Sequence, residues 1–395
     1  MATILFSIIL FIYIGLGIPD SSLGSAWPAI FADLNLEVGL NSLISFLISS
    51  GTICASIFSS KLINKFGTQL VTACSTLLAS LSLLGFAFSN SIWFFCSLSI
   101  PLGLAAGAID AALNNYVVCR YSSTHVNFLH CFYGIGVAIT PYIFSFTLKN
   151  SNDWRSGYEI IFLIELALAI LCFASLPLWK KVKQKNSDKE VAPVTLTIPQ
   201  MLKTPAFKSN CLAFFCTCAL EFTVGTWGCT YLVKSLNLLE SVAAKYLTLY
   251  YLGITGSRLI SSVISRKLSS GKIISGGCMI IAIGLAILFL PISPQFKGLS
   301  MLLIGLGNGP TFPNLIHQTP HNFGMEKSQS LIGLEMAMCN VGILVAPPLF
   351  GVLVQLISTD IFPYFTTLCF LLMAVCLVVH QKGLKKFNKS LFIKY

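Results

Sequence analysis

Long apolar segments follow one another along this chain with almost no soluble sequence between them, about twelve in all. A run of roughly 20 apolar residues crosses a bilayer core of about 30 Å. No water is present there to satisfy the backbone, so each span must be a helix. Five carboxylates (Asp20, Asp110, Glu165, Glu221 and Glu335) and one arginine, Arg258, fall well inside the spans, away from their ends. Charges at that depth are costly and mark a substrate or ion path.

The spans read 3–29, 40–59, 69–88, 92–117, 125–148 and 157–178, then 208–233, 242–265, 273–293, 298–317, 328–355 and 361–380. This divides the chain into a six-helix half at 1–179, a basic linker at 180–205, a second six-helix half at 206–381 and a tail at 382–395. The expected fold class is an all-α membrane protein, with twelve transmembrane helices in two pseudo-symmetric halves. Charged residues are only 10% of the chain, against about 25% in a soluble domain, so no separate soluble domain is expected. The first apolar stretch has no Lys or Arg before it and is longer than a signal peptide's core, so it reads as a retained span.

A formal charge of +11 raises the question of nucleic acid. The basic residues lie in short loops rather than among aromatics on a polar face, which fits membrane orientation and argues against nucleic acid. Lys61, Lys65, Arg120, the linker lysines, Lys208, Arg266, Lys267, Lys272, Lys327 and the tail lysines fall on one side. The other side holds only Lys149, Arg155, Lys234, Lys245 and Lys297. The positive-inside rule then places both termini and the linker in the cytoplasm, in a plasma membrane, with a bacterial inner membrane the expectation. The 14 cysteines show no CxxC and read as small apolar packing residues, not as metal ligands or disulfides.

The halves resemble each other. Ser59-Ser60-Lys61-Leu62 recurs 206 residues later as Ser265-Arg266-Lys267-Leu268. Gly136 and Pro141 recur as Gly342 and Pro347 at the same offset. Duplications of this kind build transporters with a site near the midplane, although apolar helices also match by chance.

Three stretches of the first half carry the chemistry. Span one holds Gly15-Leu-Gly-Ile-Pro19-Asp20, with Trp27 further on. A carboxylate stripped of water there favours its neutral form, so Asp20 can take up and release a proton. The alternative is an aspartate capping a broken helix. Span four places Asp110 and Asn114 four residues apart, on one face, where a carboxylate and an amide can grip hydroxyl groups or simply bind neighbouring helices together. Span five holds Asn127, His130 and Tyr133 at three-residue steps, and His130 can relay protons, bind substrate or be structural. The second half adds Glu221 and Trp227, Arg258, and Glu335 with Asn340. Arg258 needs a partner at its depth. Glu335 is the first choice by residue count and Glu221 the second, as a structural pair, a gate or a coupling pair. Glu165 is expected to be structural.

The architecture resembles the major facilitator superfamily: two six-helix halves, a basic linker and a glycine-containing loop after the second span. That superfamily's loop motif, roughly GxxxD(R/K)xGR, is reduced here to Ser60-Lys-Leu-Ile-Asn64-Lys65-Phe-Gly67-Thr68, which keeps the basic residue and the second glycine. The stretches around Asp20, Asp110 and His130 are similar to the fucose permease-like branch, which includes proton-coupled sugar symporters. That branch reads acidic-x-x-x-Asn in span four, matched by Asp110 and Asn114, and carries an acid in span one, matched by Asp20. Its Asn-Phe-x-Gln-x-Phe-Asn in span five appears as Asn127-Phe128-Leu-His130-Cys-Phe132-Tyr133, with the Gln and second Asn replaced by His130 and Tyr133.

The resemblance implies a monomeric, proton-coupled importer of a small polar solute, with a sugar as the first expectation. Proton coupling falls to Asp20 and Asp110. Substrate contact falls to Asp110, Asn114, Asn127, His130, Tyr133, Trp27, Glu221, Trp227 and Asn340, with Arg258 and Glu335 as ion pair or gate. Two other readings stand: proton-driven efflux of amphipathic compounds by a phenylalanine-rich cavity, and a transporter-like sensor or lipid-handling protein without net flux. No phosphate-binding glycine loop and no metal-ligand spacing appears, so neither an enzyme, a cofactor nor an ATP-driven mechanism is expected.

Overall fold

A computed structural model describes residues 2–120, 123–151, 153–181, 196–265, 267–324 and 327–392. The linker lysines Lys183, Lys185 and Lys189, together with Arg266 and Lys394, lie outside the described residues, as do the side chains of Lys61, Arg120 and Asn127.

The described residues are all-helical. The first half contains α1 (Ala2–Asp33), α2 (Asn41–Phe66), α3 (Thr68–Ala87), α4 (Ile92–Arg120), α5 (Ser123–Asn150) and α6 (Trp154–Lys181). A single-turn α7 (Ile198–Met201) lies in the expected linker. Then come α8 (Pro205–Lys234), α9 (Glu240–Ile264), α10 (Ser270–Phe289), α11 (Pro294–Asn308), α12 (Thr311–Phe323), α13 (Ser328–Leu356) and α14 (Phe362–Phe392). Ten of these helices are long and apolar enough to cross a bilayer. α9, with Lys245 and Arg258, corresponds to the expected eighth span, 242–265, and is not among these ten.

The remaining expected span, 298–317, is not one helix but two. The 15-residue α11 ends at Asn308 and the 13-residue α12 starts at Thr311, with Gly309 and Pro310 between them. Proline has no N–H to donate, so Pro310 and Pro313 each remove a rung from the helical ladder. By contrast α1 runs unbroken through Pro19 and Pro28, so Asp20 is inside a helix and caps no end.

The chain clusters into two compact units. The first gathers Met1–Ser187 with Gly225–Leu252 and Pro348–Thr359. Within it α1 packs on α5, α2 on α4 and α3 on α6. Phe86, Phe95, Phe144, Trp154 and Tyr158 form one buried aromatic cluster, with ring centroids 5.0–6.1 Å apart. The second unit gathers Asp188–Val224, Gly253–Pro347 and Asp360–Tyr395, with α10 lying along α11 and α12.

Glycine sets the helix spacing at matched places. A Cβ on Gly136 of α5 would run into the Ile14 carbonyl of α1. A Cβ on Gly342 of α13 would run into the Phe215 carbonyl of α8. The two glycines sharing the 206-residue offset therefore make the same kind of contact, the fifth span of each half against the first. Small residues let membrane helices approach this closely, because lipid competes equally well for ordinary apolar surface. Gly67, the surviving glycine of the loop motif, turns the chain from α2 into α3 at φ 80°, a conformation that disfavours side chains.

Candidate functional site

The first-half acids come together on α1, α4 and α5. Asp110 and Asn114 are one helical turn apart, and Asn114 Nδ2 donates to Asp110 Oδ1 at 2.8 Å. Tyr13 Oη, reaching from α1, donates to the same oxygen at 2.7 Å. The Tyr13 ring stands edge-on to His130 of α5, with centroids 6.0 Å apart. Gly17 and Gly136 bring the α1 and α5 backbones together, Gly17 lying under the Tyr133 carbonyl itself. That approach puts the Tyr133 hydroxyl on Asp20, where it donates to Oδ2. Asp20 and His130 are exposed, while Asp110, Asn114 and Tyr133 are half-buried. Two carboxylates thus each hold a tyrosine hydroxyl within one helix trio, and neither is fully buried.

Tyr13 is the residue that sequence reasoning missed. An aromatic in an apolar helix reads as packing. The available signal was its spacing: Tyr13 is seven residues before Asp20, two turns along the same face of α1.

In the second half, Arg258 of α9 is brought to Glu221 of α8 and not to Glu335. Its Nη2 lies 3.2 Å from Glu221 Oε1. Asn308, the last residue of α11, donates through Nδ2 to Glu221 Oε2 at 3.3 Å. Arg258 Nε donates to the Gly309 carbonyl at 3.2 Å. In an unbroken helix that carbonyl would accept from residue 313, which is Pro313 and has no donor. The interrupted span thus leaves a polar group that the guanidinium satisfies, and the pair is partly buried, at 18% and 14% side-chain exposure.

Equal depth suggested Glu335 as the partner, but depth does not fix the face of a helix. Glu335 is fully buried on another face of α13. There Oε1 accepts from Asn210 Nδ2 of α8 at 2.7 Å and from Thr319 Oγ1 of α12 at 2.8 Å. Trp27 and Trp227 are also fully buried. Trp27 Nε1 donates to the Val38 carbonyl at 2.8 Å, and Trp227 stacks edge-on against Phe350 at 5.5 Å. Both therefore pack within the first unit. Asn340 is exposed on α13. Glu165 is buried beside Gly15, with Oε1 unpartnered. Among the described residues, no three His, Cys, Asp or Glu side chains group to hold a metal ion.

Apolar spans with acids and an arginine pointing between packed helices define a polytopic membrane transporter as the class. The chain belongs to the Major Facilitator Superfamily, whose sequence profile matches residues 5–347. Over 93% of its length it is 22% identical to Bypass of stop codon protein 6 of Saccharomyces cerevisiae, spanning 79% of that protein. It is 24% identical to the glucose/mannose transporter GlcP of Bacillus subtilis, with 75% of each chain covered. In fold it is similar to a bacterial homologue of the human lysosomal transporter Spinster, solved inward-facing and occupied. The TM-score is 0.69 over 98% of both chains, at 10% identity.

Proposed function

We propose that the chain is a proton-coupled symporter of a small polar solute, such as a sugar, working by alternating access between halves 1–179 and 206–381. The observation that carries this reading is the α1–α4–α5 trio, in which Asp110 is held by Tyr13 and Asn114 while Asp20 is held by Tyr133. Both bonds to Asp110 fall on Oδ1, so Oδ2 is left to accept a solute hydroxyl. The Asn114 amide can donate and accept beside it. His130 lines the same face through its contact with Tyr13. Asp20, exposed and held by one phenol, is the proton carrier. A solute bound at Asp110 changes the electrostatic surroundings of Asp20, and linkage makes the effect reciprocal. The likeness to a glucose/mannose transporter supports a sugar as cargo. The Arg258–Glu221 pair and the Asn308 amide form the second-half counterpart of the site. The transporter works as a monomer in a plasma membrane, bacterial inner membrane by expectation, with both termini cytoplasmic.

Proteoliposomes under an imposed proton gradient test this. Glucose, mannose, other sugars, amino acids and common drugs are offered while internal pH is recorded. Solute and protons moving inward together is the expected result. Opposite fluxes, or no solute-dependent proton movement, overturn it. Asp20→Asn should keep solute exchange and lose uphill uptake, and full uphill uptake by that variant removes Asp20 from the role.

A further inference from the structure

Glu335 is left without a charged partner by the Arg258–Glu221 pairing. It is fully buried between α8, α12 and α13, and both donors it receives go to Oε1. Oε2 is buried and has no partner. Asn210 is buried too: its Nδ2 donates to Glu335, while its Oδ1 is buried without a partner. Two side chains already joined by one hydrogen bond thus each carry one stranded oxygen, and both oxygens are acceptors. An ionised carboxylate in this place would be an uncompensated buried charge, among the costliest arrangements a protein can hold.

One proton removes both defects. A carboxylic acid and a primary amide are complementary, since the amide N–H donates to the acid carbonyl and the acid O–H donates to the amide carbonyl. The first of these bonds is Asn210 Nδ2 to Glu335 Oε1, and the stranded pair is Oε2 and Oδ1. We propose that Glu335 binds a proton on Oε2 and closes a cyclic acid–amide pair with Asn210, making the α8–α12–α13 corner a second, dry proton site of the chain. The site is separate from Asp20 and does not depend on symport.

Among the described residues, no ion pair includes Glu335; those found are Arg155–Asp33 and Arg258–Glu221. From α8, Cys211 is the next residue after Asn210, and from α13, Cys339 lies one turn beyond Glu335 with its thiol toward the Phe214 carbonyl. From α14, His380 Nδ1 is bonded to the Ala206 carbonyl at 2.8 Å, one turn before Asn210. On α12, His317 and His321 lie two residues either side of Thr319, hence on the opposite face, with their rings 5.3 Å apart. Thr319 completes the site by donating its hydroxyl to Oε1, the acid's carbonyl oxygen.

Infrared difference spectroscopy on the full-length purified transporter at neutral pH tests the proposal. The wild type should show a carboxylic-acid carbonyl band that shifts in heavy water and disappears in Glu335→Gln. That variant can restore the ring, with its amide N–H donating to Asn210 Oδ1, so its thermal midpoint should match the wild type. Asn210→Ala keeps the acid and removes one bond to its carbonyl, so the same band should move to higher frequency. This second variant carries the test if Glu335→Gln does not fold. Absence of such a band, or a band that neither variant alters, overturns the proposal. These readings are taken without solute or gradient, so failure here is distinct from failure of symport.

Discussion

Arg258 Nε donates to the Gly309 carbonyl, the oxygen whose helical donor Pro313 cannot supply. One guanidinium therefore joins three elements: the Glu221 carboxylate of α8, its own helix α9, and the interruption between α11 and α12. Lysine carries a point charge and lacks the planar fork that serves both oxygens.

Arg258→Ala should accordingly destabilise the protein by roughly 3–5 kcal/mol, leaving the Glu221 charge unpaired, with a smaller loss in the double variant Arg258→Ala/Glu221→Gln. Arg258→Lys should fall between wild type and Arg258→Ala. Thermal unfolding in detergent measures this series, and a double variant as unstable as the sum of its singles would deny the pairing.

Tyr13→Phe removes a hydroxyl bonded to a carboxylate, an interaction worth about 1.5–3 kcal/mol. Solute affinity should fall by roughly tenfold to a hundredfold if Asp110 must be pre-oriented. Tyr133→Phe acts on Asp20 instead, so it should shift the pH dependence of uptake more than solute affinity. Equilibrium exchange and uptake measured across pH separate the two effects. Wild-type affinity in Tyr13→Phe would leave Asp110 out of solute binding.

Gly136→Ala and Gly342→Ala each force a methyl group into a neighbouring carbonyl and should cost about 1–3 kcal/mol or prevent folding. Gly256 and Gly276 are also in helices, but nothing lies within 4 Å of an added Cβ. Alanine at those two positions should be neutral or stabilising by up to about 1 kcal/mol. The four variants can be ranked by the yield of folded protein after a common heat step.

Asp153 stands before the first turn of α6 and accepts from the Arg155 and Ser156 backbone N–H groups at 3.0 and 3.2 Å and from the Ser156 hydroxyl at 2.6 Å. Burial pushes its carboxyl up, but the Ser156 hydroxyl, the two N–H groups and the Arg155 charge outweigh it and hold the carboxyl below its ordinary range. A lowered folded-state value means that the stabilisation is complete above the unfolded value of about 4 and is lost as pH falls through the folded one. Asp153→Ala should cost about 1 kcal/mol at neutral pH, with the difference from wild type shrinking in acid. A constant difference between the two unfolding curves down to acid pH would contradict this.

Much of the fold was legible because hydropathy and helix length are physical requirements of the bilayer. The α4 pair was legible for a similar reason, since Asp110 and Asn114 are local neighbours at helical spacing. The Arg258 partner was not. Residue counts give depth, whereas the choice between Glu221 and Glu335 is one of helix face and of where Pro313 leaves a carbonyl open. The role of Tyr13 was hidden because a phenol in an apolar helix looks like packing until α4 is placed beside it. The single span expected at 298–317 hid its break, because hydropathy averages over Gly309 and Pro310.

Duplicated segments drift apart wherever one side chain can replace another of similar bulk. They cannot drift where a neighbour's main chain fills the volume that a Cβ requires, as at Gly136 and Gly342. A survey of every substitution along this chain should show those two columns blank within otherwise permissive apolar helices. The symmetry of the molecule would then be read most sharply in what its two halves jointly refuse.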